Sequence, residues 1–167
     1  MPSLYLPTSP APVSYRIRSN YRTQSSMAIS GKIISRKYGG HYFEITLVYP
    51  PMRRDQAAPI IAFLEEQQGQ NNIFRVRLPN DMAGTPGLKV GNFANIDAAN
   101  PSDDNDKLYR ITAVDPAVTV APEALVAGTV AASAPVMRCS LKNAVQLVTL
   151  GRSGLIRLEI DLIERVA

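Results

Sequence analysis

Gly39-Gly40-His41-Tyr42-Phe43-Glu44-Ile45-Thr46-Leu47-Val48-Tyr49-Pro50-Pro51 decides the fold class. Phe43, Ile45, Leu47 and Tyr49 point to one side of an extended chain, and Tyr42, Glu44, Thr46 and Val48 to the other. This is the period-two pattern of a half-buried strand, closed by a Pro-Pro stop. Ala57, Ile60, Ile61 and Leu64 then repeat at helical spacing, with Asp55 as the expected capping residue and Gly69 as the stop. Ile73-Phe74-Arg75-Val76-Arg77-Leu78-Pro79 returns to period two, with Phe74, Val76 and Leu78 inward. Strand, helix at about 55–68 and strand follow one another with almost no spare residues, and none of them carries an evident catalytic group.

Upstream, Tyr15 to Ser35 alternates loosely, and Arg36-Lys37-Tyr38-Gly39-Gly40-His41 reads as the turn joining a strand at 27–35 to the one at 42–49. Residues 1–14 hold Pro2, Pro7, Pro10 and Pro12 and no periodic apolar face, which predicts an extended arm that stays mobile or lies along a neighbour. Downstream, 80–135 is broken by turn signals, with short strands expected near Lys89–Val90, Phe93–Ile96, Leu108–Val114 and Val118–Val120. Strands resume at 136–141 and 144–150. After the turn Gly151-Arg152-Ser153-Gly154, a last strand at 155–166 turns Ile156, Leu158, Ile160 and Leu162 inward. The expected fold is mainly β: a β-sandwich or barrel-like core at 15–79 and 136–167 with one packed α-helix, and a small inserted β subdomain at 80–135.

A chain of 167 residues makes one domain, here with a small subdomain expected, and buries about 70% of its unfolded surface without covalent staples. The single cysteine excludes an internal disulfide framework, and Cys139 shares a strand face with Met137 and Leu141, which predicts a buried structural thiol suited to a reducing cytoplasm. No apolar run approaches the roughly 20 residues that span a bilayer, and the N-terminal prolines interrupt any signal-peptide core. His41 is the only histidine and has no partner at metal-ligand spacing. It reads as a turn residue. Asp103-Asp104-Asn105-Asp106 lacks the EF-hand spacing, and Gly151-Arg152-Ser153-Gly154 lies between strands and not ahead of a helix. No catalytic, cofactor or metal residue is assigned, and the expected role is not enzymatic.

Net charge is +4, unevenly spread: from Met1 to Arg54 the cations Arg16, Arg18, Arg22, Lys32, Arg36, Lys37, Arg53 and Arg54 face Glu44 alone. Cations interleaved with Tyr15, Tyr21 and Tyr38 fit a nucleic-acid-binding module. Their alternation with apolar residues along strands fits better the outer face of a half-polar sheet that meets solvent or another subunit. Arg16, Arg18, Arg36, Lys37, Arg53 and Arg54 are therefore the candidate subunit-interface residues.

The strand ending in Tyr49-Pro50-Pro51, the helix Ala57-Ala58-Pro59-Ile60-Ile61-Ala62-Phe63-Leu64, then Gly69 and Phe74, resemble bacteriophage tail proteins. The likeness continues through Lys89-Val90-Gly91-Asn92-Phe93-Ala94-Asn95-Ile96 and Leu108-Tyr109-Arg110-Ile111-Thr112-Ala113-Val114 to Ile160-Asp161-Leu162-Ile163-Glu164-Arg165. Among these proteins the chain is most similar to the distal tail protein family, over roughly residues 20 to 166. The resemblance implies a virion component, made and assembled in the host cytoplasm, that forms a ring of six copies between the tail tube and the tip or baseplate. Its implied partners are further copies of itself, the tail tube protein and the tip or baseplate hub, with non-specific proximity to DNA in the lumen. In that setting the basic residues are expected to contact acidic neighbours. A terminator, connector or tube-completion protein is the alternative within the tail.

Overall fold

The computed structural model describes residues 5–78, 88–98, 106–125, 127–132, 135–143, 148–151 and 154–165. Ten strands and one helix run in the order β1 (Ser14–Met27), β2 (Ile33–Val48), α1 (Arg54–Glu66), β3 (Phe74–Arg77), β4 (Phe93–Ala98), β5 (Tyr109–Ala113), β6 (Thr119–Ala121), β7 (Gly128–Ala131), β8 (Val136–Leu141), β9 (Val148–Leu150) and β10 (Ile156–Glu164). The main antiparallel sheet is ordered β1-β2-β10-β8-β3, with β9 also pairing β10, and a second sheet is ordered β6-β5-β4-β7. The fold is mainly β, and the one helix among the described residues packs on the main sheet.

Alternation drives the main sheet. His41, Phe43, Ile45, Leu47 and Tyr49 are buried along β2 and its exit, and Ile156, Leu158, Ile160, Leu162 and Glu164 along β10. Leu47 pairs with Ile160 and Ile45 with Leu162, so both strands present one apolar face. Helix α1 covers that core with Ala57, Ile60, Phe63 and Leu64, and the Phe63 ring meets Phe74 edge-on at 5.1 Å. Its N-cap is Arg53, whose backbone N–H donates to Gln56 Oε1 at 3.1 Å, while Asp55 lies in the first turn, where a carboxylate suits the helix dipole. The expected cap at Asp55 is thus moved to Arg53. Gln68, directly after the C-cap Gln67, is left-handed at φ +51° and ends the helix, and Gly69 continues in that conformation at φ +68°. Gln67 is buried and donates from Nε2 to the Phe63 carbonyl.

Other expectations change as well. The β1–β2 turn lies at 28–32, closed by Ala28 N–H to Lys32 O at 2.9 Å, and β2 runs unbroken from Ile33. Gly39-Gly40 therefore marks no turn. It falls at the register shift between Tyr21 and Thr23, with Gly40 at φ +104°, so the glycine pair accommodates a bulge. His41 is accordingly a buried strand residue. The proline-rich arm, as far as 5–13 is described, lies along its own chain: Tyr5 bridges Arg75, Leu6 N–H donates to Arg75 O, and Leu6 enters the core. Residues 88–92 are turn where Lys89–Val90 was expected as strand, and β7 at Gly128–Ala131 was not foreseen in the Ala/Val-rich run.

The second sheet is inserted between β3 and β8. Its own core is small, Ala94, Ile111 and Ala132 with valines around them, whereas Phe93 and Leu108 belong to the main core. The insertion shares the interior of the domain that carries it.

Candidate functional site

Arg16 and Arg18 stand on the outer face of the main sheet, one position out of phase with the core. Cross-strand neighbours there are Arg16 beside Thr46, Thr46 beside Asp161, and Arg18 beside Glu44. Together with Lys142 and Glu159 they line a polar cleft of about 260 Å³. Arg16 pairs with Glu159 at 3.5 Å, Lys142 with Glu44 at 2.8 Å, and the Thr46 hydroxyl donates to Asp161 at 2.5 Å. The Arg16–Glu159 pair is more than half exposed and contributes little to stability, on the order of 0–1 kcal/mol. The face offers both signs of charge side by side to whatever meets it.

Arg36 and Lys37 lie elsewhere, on a ribbon formed by the distal halves of β1 and β2. From Tyr21 to Gly40 every residue except Ala28 is exposed. Arg22 and Lys32 join the two foreseen cations there, and no carboxylate precedes Glu44 in the chain. The aliphatic side chains of this ribbon gather at its tip, where Met27, Ile29, Ile33 and Ile34 are exposed by 75, 110, 69 and 56%, and the Tyr21 and Tyr38 rings are exposed near its root. Arg53 and Arg54 are at a third place, exposed at the start of α1. The six foreseen residues therefore occupy three separate elements and form no single patch.

The root of the ribbon holds a buried polar cluster that no motif announced. Glu164, at the inward phase of β10, accepts from Lys107 Nζ at 3.1 Å, from Phe43 N–H at 3.0 Å and from Leu108 N–H at 2.8 Å. Lys107 Nζ also donates to the His41 carbonyl at 3.0 Å. The His41 ring lies between Tyr21 and Phe43, with Nε2 at 2.7 Å from Ser19 Oγ and no hydrogen-bond partner at Nδ1 among the described residues. Burial, with Lys107 and then Lys37 adding like-charge repulsion, lowers its pKa to about 4. Strict alternation would have found Glu164, whereas Lys107 lies before β5 in a segment without period.

Asn95 makes a second latch, donating to the Lys107 and Val136 carbonyls and accepting from Val136 N–H at 2.6 Å. Cys139 is fully buried and its thiol pKa is raised by desolvation, as a structural cysteine's would be. Among the described residues no helix is long and apolar enough to cross a membrane, and no three His, Cys, Asp or Glu side chains group to hold a metal. No protein-family model matches the sequence, and no curated protein matches it.

Proposed function

We propose that this protein is a structural subunit of a bacteriophage tail, assembling with copies of itself into a ring that adapts the tail tube to the tip or baseplate. The sequence resemblance supplies the tail assignment. The observation that carries a role in assembly is the β1–β2 ribbon, which continues to Met27 and Ile33 although the last residue it contributes to the core is His41. Fifteen exposed strand residues, at 21–27 and 33–40, do nothing for the subunit's own interior; they serve contacts beyond it.

The outer face bearing Arg16, Arg18, Glu44, Glu159 and Asp161 suits the ring contact itself. A ring needs heterologous interfaces, one face of a subunit against a different face of the next, and mixed charge sets the register of such a contact more than its strength. Closed symmetry then places one ribbon per subunit around a common axis. Electron microscopy of the intact particle tests the assignment. Density of this fold in a ring between tube and tip supports it, whereas a ring at the head end of the tail replaces it with a terminator or connector.

A further inference from the structure

We infer that the β1–β2 ribbon is a binding element for double-stranded DNA, holding the sugar-phosphate backbone through Arg22, Lys32, Arg36 and Lys37 with its tip entering a groove. This goes beyond the ring reading and does not depend on it, because the ribbon belongs to each single chain.

The pattern of side chains on the ribbon selects the ligand. Thr23, Ser25 and Met27 pair with Lys37, Ser35 and Ile33, while Gln24 and Ser26 pair with Arg36 and Ile34. Each face therefore carries a cation and polar residues along the shaft, with the Tyr21 and Tyr38 rings near its root and aliphatic residues only towards the tip. A ribbon that lay flat on another protein would need one apolar face to bury, and neither face is apolar. The division is lengthwise, which fits end-on insertion. Residues 22–27 rise about 3.4 Å each, so the tip stands about 20 Å beyond the root, and a two-stranded ribbon of this kind fits the DNA major groove, about 12 Å wide.

Charge decides between the partners that accept an apolar tip. The four ribbon cations form no ion pair among the described residues, and no acidic residue precedes Glu44, so a polyanion meets no repulsion along the shaft. In a lipid bilayer, insertion of Ile29 and Ile33 would carry Lys32, one residue from Ile33, towards the hydrocarbon together with a turn whose backbone is only partly hydrogen-bonded within itself. In the DNA major groove the same ammonium meets a phosphate, and aliphatic side chains such as Ile29 can contact base edges such as the thymine methyl group. Copies of the subunit brought together with their ribbons side by side would repel one another, and a polyanion between them removes that repulsion.

Fluorescence anisotropy with a labelled random-sequence duplex tests the inference directly. The wild-type protein is expected to bind with log K falling against log salt at a slope of up to about −3.6, four phosphates at about −0.9 each, between about 50 and 200 mM salt. The quadruple variant Arg22→Gln, Lys32→Gln, Arg36→Gln, Lys37→Gln should lose at least about tenfold in affinity at the low-salt end, with a slope near zero. The double variant Arg36→Gln, Lys37→Gln should fall between, and Arg16→Gln with Arg18→Gln should leave the ribbon-dependent slope in place. All these residues lie outside the core, so circular dichroism should show the fold kept. Absence of DNA binding, or binding that the quadruple variant retains, overturns the inference. So does ribbon-dependent binding to anionic vesicles alone, which would assign the tip to a bilayer, or ribbon-dependent self-association without DNA affinity. Sedimentation of the same variants reads ring assembly separately, so failure of one account is distinguishable from failure of the other.

Discussion

Lys107 Nζ lies 3.1 Å from Glu164 Oε2 with both side chains almost wholly excluded from solvent, and the pair joins the inserted sheet to the last strand of the main one. Glu164 also accepts the Phe43 and Leu108 backbone N–H groups, so one carboxylate fixes β2, β10 and the entry to β5 at once. A buried pair of this kind adds little net stability over an apolar replacement, because desolvation offsets the attraction. Its effect is on geometry: it sets where the insertion and the root of the ribbon stand relative to each other.

Removing one partner leaves the other charge buried. Lys107→Met should cost about 3–5 kcal/mol, read as a lowered urea midpoint. The double variant Lys107→Met with Glu164→Met should not restore wild-type stability, since Phe43 and Leu108 N–H then lose their acceptor. Full recovery in the double variant would show that the pair acts only as two charges.

Ile160 is wholly buried in the inward phase of β10, between Leu158 and Leu162. Ile160→Ala should cost about 2–5 kcal/mol, and Arg157→Ala, on the exposed phase, should stay within about 0.5 kcal/mol. Equal shifts in thermal midpoint would contradict the assigned face.

Leu6 ties the proline-rich segment to the core, and a cavity of about 70 Å³ lies between that segment and the sheet, lined in part by Tyr15, Tyr49 and Val76. Leu6→Ala should destabilise the monomer by about 2 kcal/mol. An unchanged thermal midpoint would return this segment to the role first expected of it, contact with a neighbour.

His41 makes stability depend on pH. Its folded pKa, about 4, lies below the ordinary 6.5, so the unfolded chain binds the proton first as pH falls. The contribution is fully present above about pH 6.5 and is lost as pH falls towards 4, at most about 1.4 kcal/mol for each tenfold rise in proton concentration. His41→Gln, which keeps a partner for Ser19 but does not titrate, should flatten the stability profile over that window. An identical profile would place the acid sensitivity elsewhere.

The sequence displayed the core because burial in a strand leaves a period. Phe43, Ile45, Leu47, Phe74, Val76 and the residues of β10 were assigned to the correct face on that ground alone, and helix α1 was found within one or two residues. The ribbon was not legible. Gly39-Gly40 looks the same in sequence whether it turns a chain or bulges a strand, and exposed strand on both faces has no alternation to reveal it. Lys107 was hidden for a related reason: a single polar residue between turn and strand shows nothing of the carboxylate 57 positions later that meets it. The six cations were chosen by charge, and charge alone does not say that Arg16, Arg36 and Arg53 occupy three different elements.

The measurement that bears most directly on the central claim is the mass and symmetry of the assembly formed by the purified full-length chain, by sedimentation and negative-stain electron microscopy at rising concentration. Closed rings of one cyclic symmetry are expected, and they should dissociate when Arg16 and Arg18 are both reversed to Glu while the fold is kept. A chain that remains monomeric at every concentration, alone and with tail tube protein, or one that forms only two-fold dimers unaffected by that reversal, would contradict it.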